Sequence, residues 1–402
     1  MFGDPLLIGD IGLTEVLIVL FKTVLTFGIM LVAVILMIWF ERKVIADLQN
    51  RVGPNLAGPW GLLQTLADGI KLIFKQDIIP SKADRLIFAI APFLALVPAF
   101  VSFGIVPLGG DFQNNGGVVS WFGEDTYFQL ADPQIGFLVL LAMSSIGVYG
   151  MMLAGWSSGS KYPLISAVRA SAQAISYEAA LGLSLVSVLL VSGSLSTHDI
   201  VLAQAGEGYL GIIPNWNVIV TGIVPFVIFL IAATAELNRA PFDLVEAEQE
   251  LTGGFNTEYS SIRFGHFYLA EYMNLITMSA IMATLFLGGP AGPVFGPDIL
   301  HPIWPSVWMF LKVLFFLFAA VWARATLPRF RYDQLMDLGW KALIPIALGW
   351  LLLLAAIQVA RDQEWNMALV LGVCIAVMAL GAALLTTAIN TARRLRLEEE
   401  VV

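Results

Sequence analysis

Cysteine is nearly absent from this sequence, histidine is scarce, and charge of either sign is thin. The single cysteine, Cys374, sits in an apolar run, and His198, His266 and His301 lie far apart along the chain. One thiol excludes an internal disulfide, and an iron–sulfur cluster or a Cys/His zinc site needs ligands that this spacing does not supply. If the chain serves a redox enzyme, its partners carry the electrons. Charged residues make up only 13% of the 402 positions, where a soluble domain has about a quarter. Hydrophobic residues make up 58%, and the mean hydropathy is +0.82. That is the composition of a polytopic membrane protein. The first basic residue is Lys22, and the first apolar run is too long for the core of a cleaved signal, so it is expected to remain as an anchor. No low-complexity segment, soluble domain or clear internal repeat is visible, which disfavours inverted-repeat transporters. The net charge of −9 comes from acids in the outer segments and in one loop, and nothing points to nucleic acid.

At about 20 apolar residues per crossing, nine spans are expected, near 13–40, 84–106, 134–155, 165–192, 216–236, 264–288, 303–326, 341–360 and 366–389. Basic residues orient them. Arg42, Lys43, Arg51, Lys71, Lys75, Lys82 and Arg85 fall between the first two spans. Lys161, Arg169, Arg239, Arg263, Arg324, Arg329, Arg331 and Lys341 fall at the alternate junctions. Together with Arg393, Arg394 and Arg396 they share one side, and the other side has only Arg361. The positive-inside rule therefore puts the N-terminus outside and the C-terminus in the cytoplasm. Lys22, within the first span, is expected to reach up to the outer interface. Lys312, in the middle of the seventh, has no role that the sequence assigns.

Within this apolar chain, six carboxylates crowd between positions 236 and 258: Glu236, Asp243, Glu246, Glu248, Glu250 and Glu258. Pro241 and the pair Gly253-Gly254 bracket a short expected helix, on which Asp243, Glu246 and Glu250 share a face. Apolar runs at 218–235 and 264–287 flank it, so it is a loop at a membrane surface. A solvated acidic loop is the plain reading. A second polar pattern, Gln64, Asp68, Lys71 and Lys75 at steps of four, three and four, puts one polar stripe on an apolar helix. Periodicity alone makes that an interfacial helix lying flat. Glu178 and Glu271 lie inside apolar runs, the latter beside Tyr268 and Asn274. An ionised group there costs roughly 2.5–3.5 kcal/mol, so such acids face a bundle interior or a cavity, either as paired structural groups or as proton carriers.

The segment Glu236-x-x-Arg239-x-Pro241-Phe242-Asp243-Leu244-x-Glu246-x-Glu248-x-Glu250-Leu251-x-x-Gly254 resembles the quinone-site membrane subunit of respiratory complex I, the proton-translocating NADH:quinone oxidoreductase. Gly61-x-x-Gln64-x-x-x-Asp68-x-x-Lys71-x-x-x-Lys75 resembles the family's other signature, on the amphipathic helix beside the quinone tunnel. The stretch from Gly155 to Glu178 is similar too, with departures at Gly159 and Pro163 that touch a turn. The resemblance implies an all-α polytopic fold of about nine transmembrane helices. Eight form the family core and one, at 366–389, is added. Cytoplasmic-side loops lie at 41–85 and 236–263. It implies Arg42, Gln64, Asp68, Arg239 and Asp243 at the quinone cavity. Glu178, Glu236, Glu246, Glu248, Glu250, Glu258 and Glu271 become the coupling acids and proton path. The chain would bind no cofactor itself, with quinone as substrate and NADH, FMN and iron–sulfur clusters on partners. Those partners would be soluble quinone-site and iron–sulfur subunits and antiporter-like membrane subunits, in a bacterial cytoplasmic membrane. A membrane-bound hydrogenase-type complex and a stand-alone proton-coupled transporter are the alternatives.

Overall fold

With water excluded, a spanning segment must find hydrogen-bond partners for its own backbone, and a helix does this within the segment. The computed structural model describes residues 3–7, 12–206, 215–244, 252–295 and 298–399 and is built almost wholly of helices. In chain order they are α1 (Leu13–Leu48), the short α2 (Gln64–Phe74), α3 (Arg85–Phe103), α4 (Gly136–Ser157), α5 (Lys161–Ser192) and α6 (Thr197–Gln204). Then come α7 (Ile223–Glu236), α8 (Ser261–Phe286), α9 (Trp304–Thr326), α10 (Tyr332–Asp362) and α11 (Met367–Glu399). The one sheet among the described residues is a hairpin, β1 (Val118–Trp121) with β2 (Glu124–Tyr127).

Eight of these helices are long and apolar enough to cross a membrane. The fifth expected span, 216–236, differs from a full crossing. A single turn, Asn217–Val220, stops at Gly222, whose φ is 82°, and α7 then runs for only 14 residues, about 21 Å. Other helices take the polar groups at the break. Asn217 Nδ2 donates to the Leu285 carbonyl at 2.8 Å, and Trp350 Nε1 donates to the Thr221 carbonyl at 2.8 Å. Gly159, one of the departures in the turn before α5, has φ 67° and packs against the Lys82 carbonyl, where a side chain would clash.

α8 is the central helix, buried almost without interruption from Tyr272 to Phe286. α5 packs against α4 and α7, and its buried Ala167, Ala170, Ala174 and Ala180 are small residues that let backbones approach. α11 is the opposite case: its described side chains are largely exposed.

Two lysines inside spans acquire roles. Lys22 does not end in solvent. It is buried and donates to Asp4 Oδ2 and Thr126 Oγ1, both at 2.8 Å, because the hairpin folds over the end of α1. Lys312 donates to the carbonyls of Leu287, Gly289 and Ala291 at 2.7, 2.6 and 2.8 Å, with the Trp216 ring 5.4 Å away. These carbonyls follow the C-terminus of α8, where acceptors lack intrahelical donors and the helix dipole favours a cation. Lys312→Met leaves them unpaired and is expected to destabilise the protein by roughly 2 kcal/mol or more. Thermal inactivation of the assembled enzyme measures this, and an unchanged midpoint would remove the capping account.

Candidate functional site

Arg239 follows the end of α7 and is only 6% exposed. A guanidinium in that position needs acids, and two helices supply them. Nη1 donates to Glu41 Oε2 and Nε to Glu271 Oε1, both at 2.9 Å, and the Tyr272 ring centroid lies 4.3 Å from the guanidinium carbon. Arg324 on α9 donates to the other oxygen of Glu41. Burial alone disfavours the Arg239 charge, but the carboxylates of Glu271 and Glu41 outweigh it and hold the proton more firmly than usual. Two arginines and two glutamates thus form a compact, formally neutral cluster joining α1, α8, α9 and the 237–244 turn. Sequence reasoning misses Glu41 and Arg324 as site residues. The signal that could have found the first is helix length: α1 runs to Leu48, so Glu41 lies inside a helix and not in a loop.

α1 presents Arg42 next to Glu41 and so feeds a second cluster. Arg42 Nη1 donates to Asp68 Oδ2 at 2.7 Å, Gln64 Nε2 donates to Asp68 Oδ1 at 3.2 Å, and Lys71 lies 3.8 Å away. The stripe on α2 therefore turns its carboxylate to α1, while Lys71 stays largely exposed. Partial burial pushes the Asp68 carboxyl up, but hydrogen bonds from Arg42 and Gln64 and the charges of Arg42 and Lys71 win and hold it below its usual value. The stabilisation is complete above the unfolded-state value and is lost as pH falls through the lower native one. Arg42 and Gln64, with residues 51–56, line an open cleft of about 790 Å³.

Asp243 accepts from Arg329 Nη2 at 2.9 Å, and its other oxygen is buried with no partner among the described residues. The turn that carries it is clamped. Gln173 Nε2 donates to the Ala235 and Phe242 carbonyls at 2.7 and 2.9 Å, and Phe242 packs between Tyr177 and Phe330. Positions 241–244 form a turn and not the start of the expected helix, with Leu244 N also donating to the Phe242 carbonyl at 3.0 Å. Glu246, Glu248 and Glu250 lie outside the described residues. Glu258 is half-buried and joins none of these clusters among the described residues.

The remaining acids form a row. Glu271 lines a cavity of about 90 Å³ between α3, α4, α7 and α8, together with Ser144, Glu236, Asn238 and Asn274. Glu236 accepts from Ser144, and its second oxygen has no partner among the described residues. Ser145, the next residue of α4, donates to Glu178. Glu271 and Glu236 thus line one cavity, and two consecutive serines of α4 pair with Glu236 and Glu178. A cavity of this size with several polar groups has room for water. The serines are invisible to a search for charge. No group of three or more metal-ligating side chains occurs among the described residues.

A family model described as NADH dehydrogenase matches residues 21–355, which takes in all four clusters. The NADH-quinone oxidoreductase H subunit of Frankia alni is 48% identical over 371 residues, 91% of this chain and 79% of that protein. The chain belongs to the family of NADH-quinone oxidoreductase H subunits. The H subunit of Thermomicrobium roseum is 52% identical over 314 residues, 78% of this chain and 87% of that protein. That of Streptomyces avermitilis is 47% identical over 354 residues, 87% of this chain and 75% of that protein. As a member of this family, the chain is a multi-pass membrane component of an enzyme complex. α11 begins beyond residue 355, where the family match ends.

Proposed function

We propose that the chain forms the membrane wall of the quinone tunnel and passes the effect of quinone reduction to a row of buried carboxylates. The observation that carries this reading is the bridging position of Arg239. One guanidinium holds Glu41, whose neighbour Arg42 lines the cleft with Gln64, and also Glu271, which opens on the cavity of Glu236. The quinone slides in between α1, α2 and α8, with its headgroup projecting toward soluble partners that hold the iron–sulfur clusters, FMN and the NADH site. Two electrons and two protons convert it to quinol. The charge that appears during this step draws on Arg42, Arg239 and the Asp243–Arg329 pair, with Gln64 and Asp68 setting the Arg42 position. Glu246, Glu248, Glu250 and Glu258 relay the change along the acidic loop.

When Arg239 loosens its hold on Glu271, that buried carboxylate takes up a proton, because burial disfavours the unpaired anion. The proton moves through the cavity to Glu236 and, by way of Ser144 and Ser145, to Glu178, which faces the antiporter-like subunits. The basic side bearing the clusters is the cytoplasmic side, the N-terminus is outside and the C-terminus is inside. Asp243→Asn tests the reading. It keeps the shape and removes the partner charge of Arg329, so an assembled enzyme is expected to lose quinone turnover or its coupling to proton movement. Assembled enzyme with native turnover and pumping would return the acidic loop to a solvated surface feature.

A further inference from the structure

α7, α8 and α9 leave between them a second cavity, of about 320 Å³, that the coupling reading does not use. Only two side chains in its wall carry a polar group, and both turn it onto their own helix. Thr234 Oγ1 donates to the Leu230 and Ile231 carbonyls at 3.0 and 2.8 Å, and Ser279 Oγ donates to the Leu275 carbonyl at 2.8 Å. The rest of the wall is apolar, with Ala233, Ala319, Ala320 and Ala323 supplying the room. Such a space accepts hydrocarbon, because a polar group inside it would lose its water and find no partner. Its volume is at the low end for ligand sites, which run from about 300 Å³. Leu230, Ile231 and Thr234 on one flank and Ala319, Ala320 and Ala323 on the other are half-buried, so the cleft reaches the surface of the chain between α7 and α9.

Charge marks one end. Phe242, Leu327 and Phe330 line the cleft where the chain leaves α9, and Arg329 and Arg331 bracket Phe330 in the sequence, with Arg324 one turn earlier. Arg329 keeps 45% of its side chain exposed while it holds Asp243, and Arg331 is exposed. A guanidinium has five N–H donors, so Arg329 can serve two anions at once. We propose that the cleft holds one acyl chain of an anionic membrane phospholipid, whose phosphate rests on Arg331 and on the exposed edge of Arg329. The lipid then shares a cation with Asp243 and steadies the turn that carries it.

The test uses the complete, purified enzyme incubated with phosphatidylglycerol bearing a diazirine on one acyl chain. Photolysis is expected to label residues 230–234 or 319–323. Ala320→Leu fills the cleft and Arg331→Gln removes the rim charge, and each is expected to lower that labelling about fivefold or more. A phosphatidylcholine probe is expected to label the unaltered enzyme as weakly as phosphatidylglycerol labels Arg331→Gln. Labelling that ignores the headgroup, or that persists in Ala320→Leu, overturns the proposal. So does label found only from a diazirine on an isoprenoid quinone tail, or a neighbouring protein's peptide occupying the cleft. If Ala320→Leu does not assemble, Ala319→Val provides a smaller filling, for which a partial loss is expected and no loss counts against the lipid.

Discussion

Exchange of Arg239 for glutamine is expected to lower quinone-linked turnover by roughly a hundredfold or more in enzyme that still contains this chain. The guanidinium makes two charge-assisted hydrogen bonds, to Glu41 and Glu271, from a position 6% exposed. Without it Arg324 still serves Glu41, but the half-buried Glu271 loses its hydrogen-bonded cation. On the proposed path, a Glu271 without this partner is no longer coupled to the quinone side of the cluster. Arg239→Lys separates charge from geometry. A lysine keeps the charge but loses the planar fork that reaches two carboxylates, so its turnover should fall between the two. NADH:quinone reductase activity in membranes measures the effect, with quinone-independent reduction of an artificial acceptor reporting assembly. Native quinone turnover in Arg239→Gln would separate this cluster from the reaction.

Glu236→Gln should strike the next step. The glutamine fills the same space and can still meet Ser144, but it cannot carry a proton between the Glu271 cavity and Glu178. Proton translocation is expected to fall at least about tenfold, since removing a positioned proton carrier typically costs more than that. Glu236→Asp keeps a titratable group in the cavity and should retain part of the activity. Ser144→Ala removes only a hydrogen-bond partner and should be milder than either. Measurement of acidification in sealed vesicles alongside NADH oxidation distinguishes these outcomes. A native proton yield per electron in Glu236→Gln would divert the path elsewhere.

The acids themselves are legible because a carboxylate inside an apolar run stands out from its surroundings, and so Glu178, Glu236 and Glu271 can be found without coordinates. Their connections are not legible. Ser144 and Ser145 look like any small residues of a membrane helix, and Glu41 sits beside Arg42 and Lys43 in what reads as an ordinary surface charge cluster. The short α7 reads as part of a full crossing because hydropathy averages over Gly222 and Asn217, and the polar groups at that break are satisfied by Trp350 and the Leu285 carbonyl from other helices. Lys312 is explained only by the end of α8, whose carbonyls it caps from a helix some 20 residues further along the chain.

What the sequence determined by itself is whatever depends on neighbours along the chain: the apolar spans other than the fifth, the all-α class, and the polar stripe of α2. These follow from solvation of each segment in water or lipid, which needs no knowledge of the others. The tertiary structure decided which charges meet. Arg239 reaches Glu41 across 198 residues and Arg324 reaches it across 283, and no periodicity encodes such pairs. They exist because a buried ion is tolerable only beside its counter-ion, so the packing of α1, α8 and α9 had to bring the four side chains to one place.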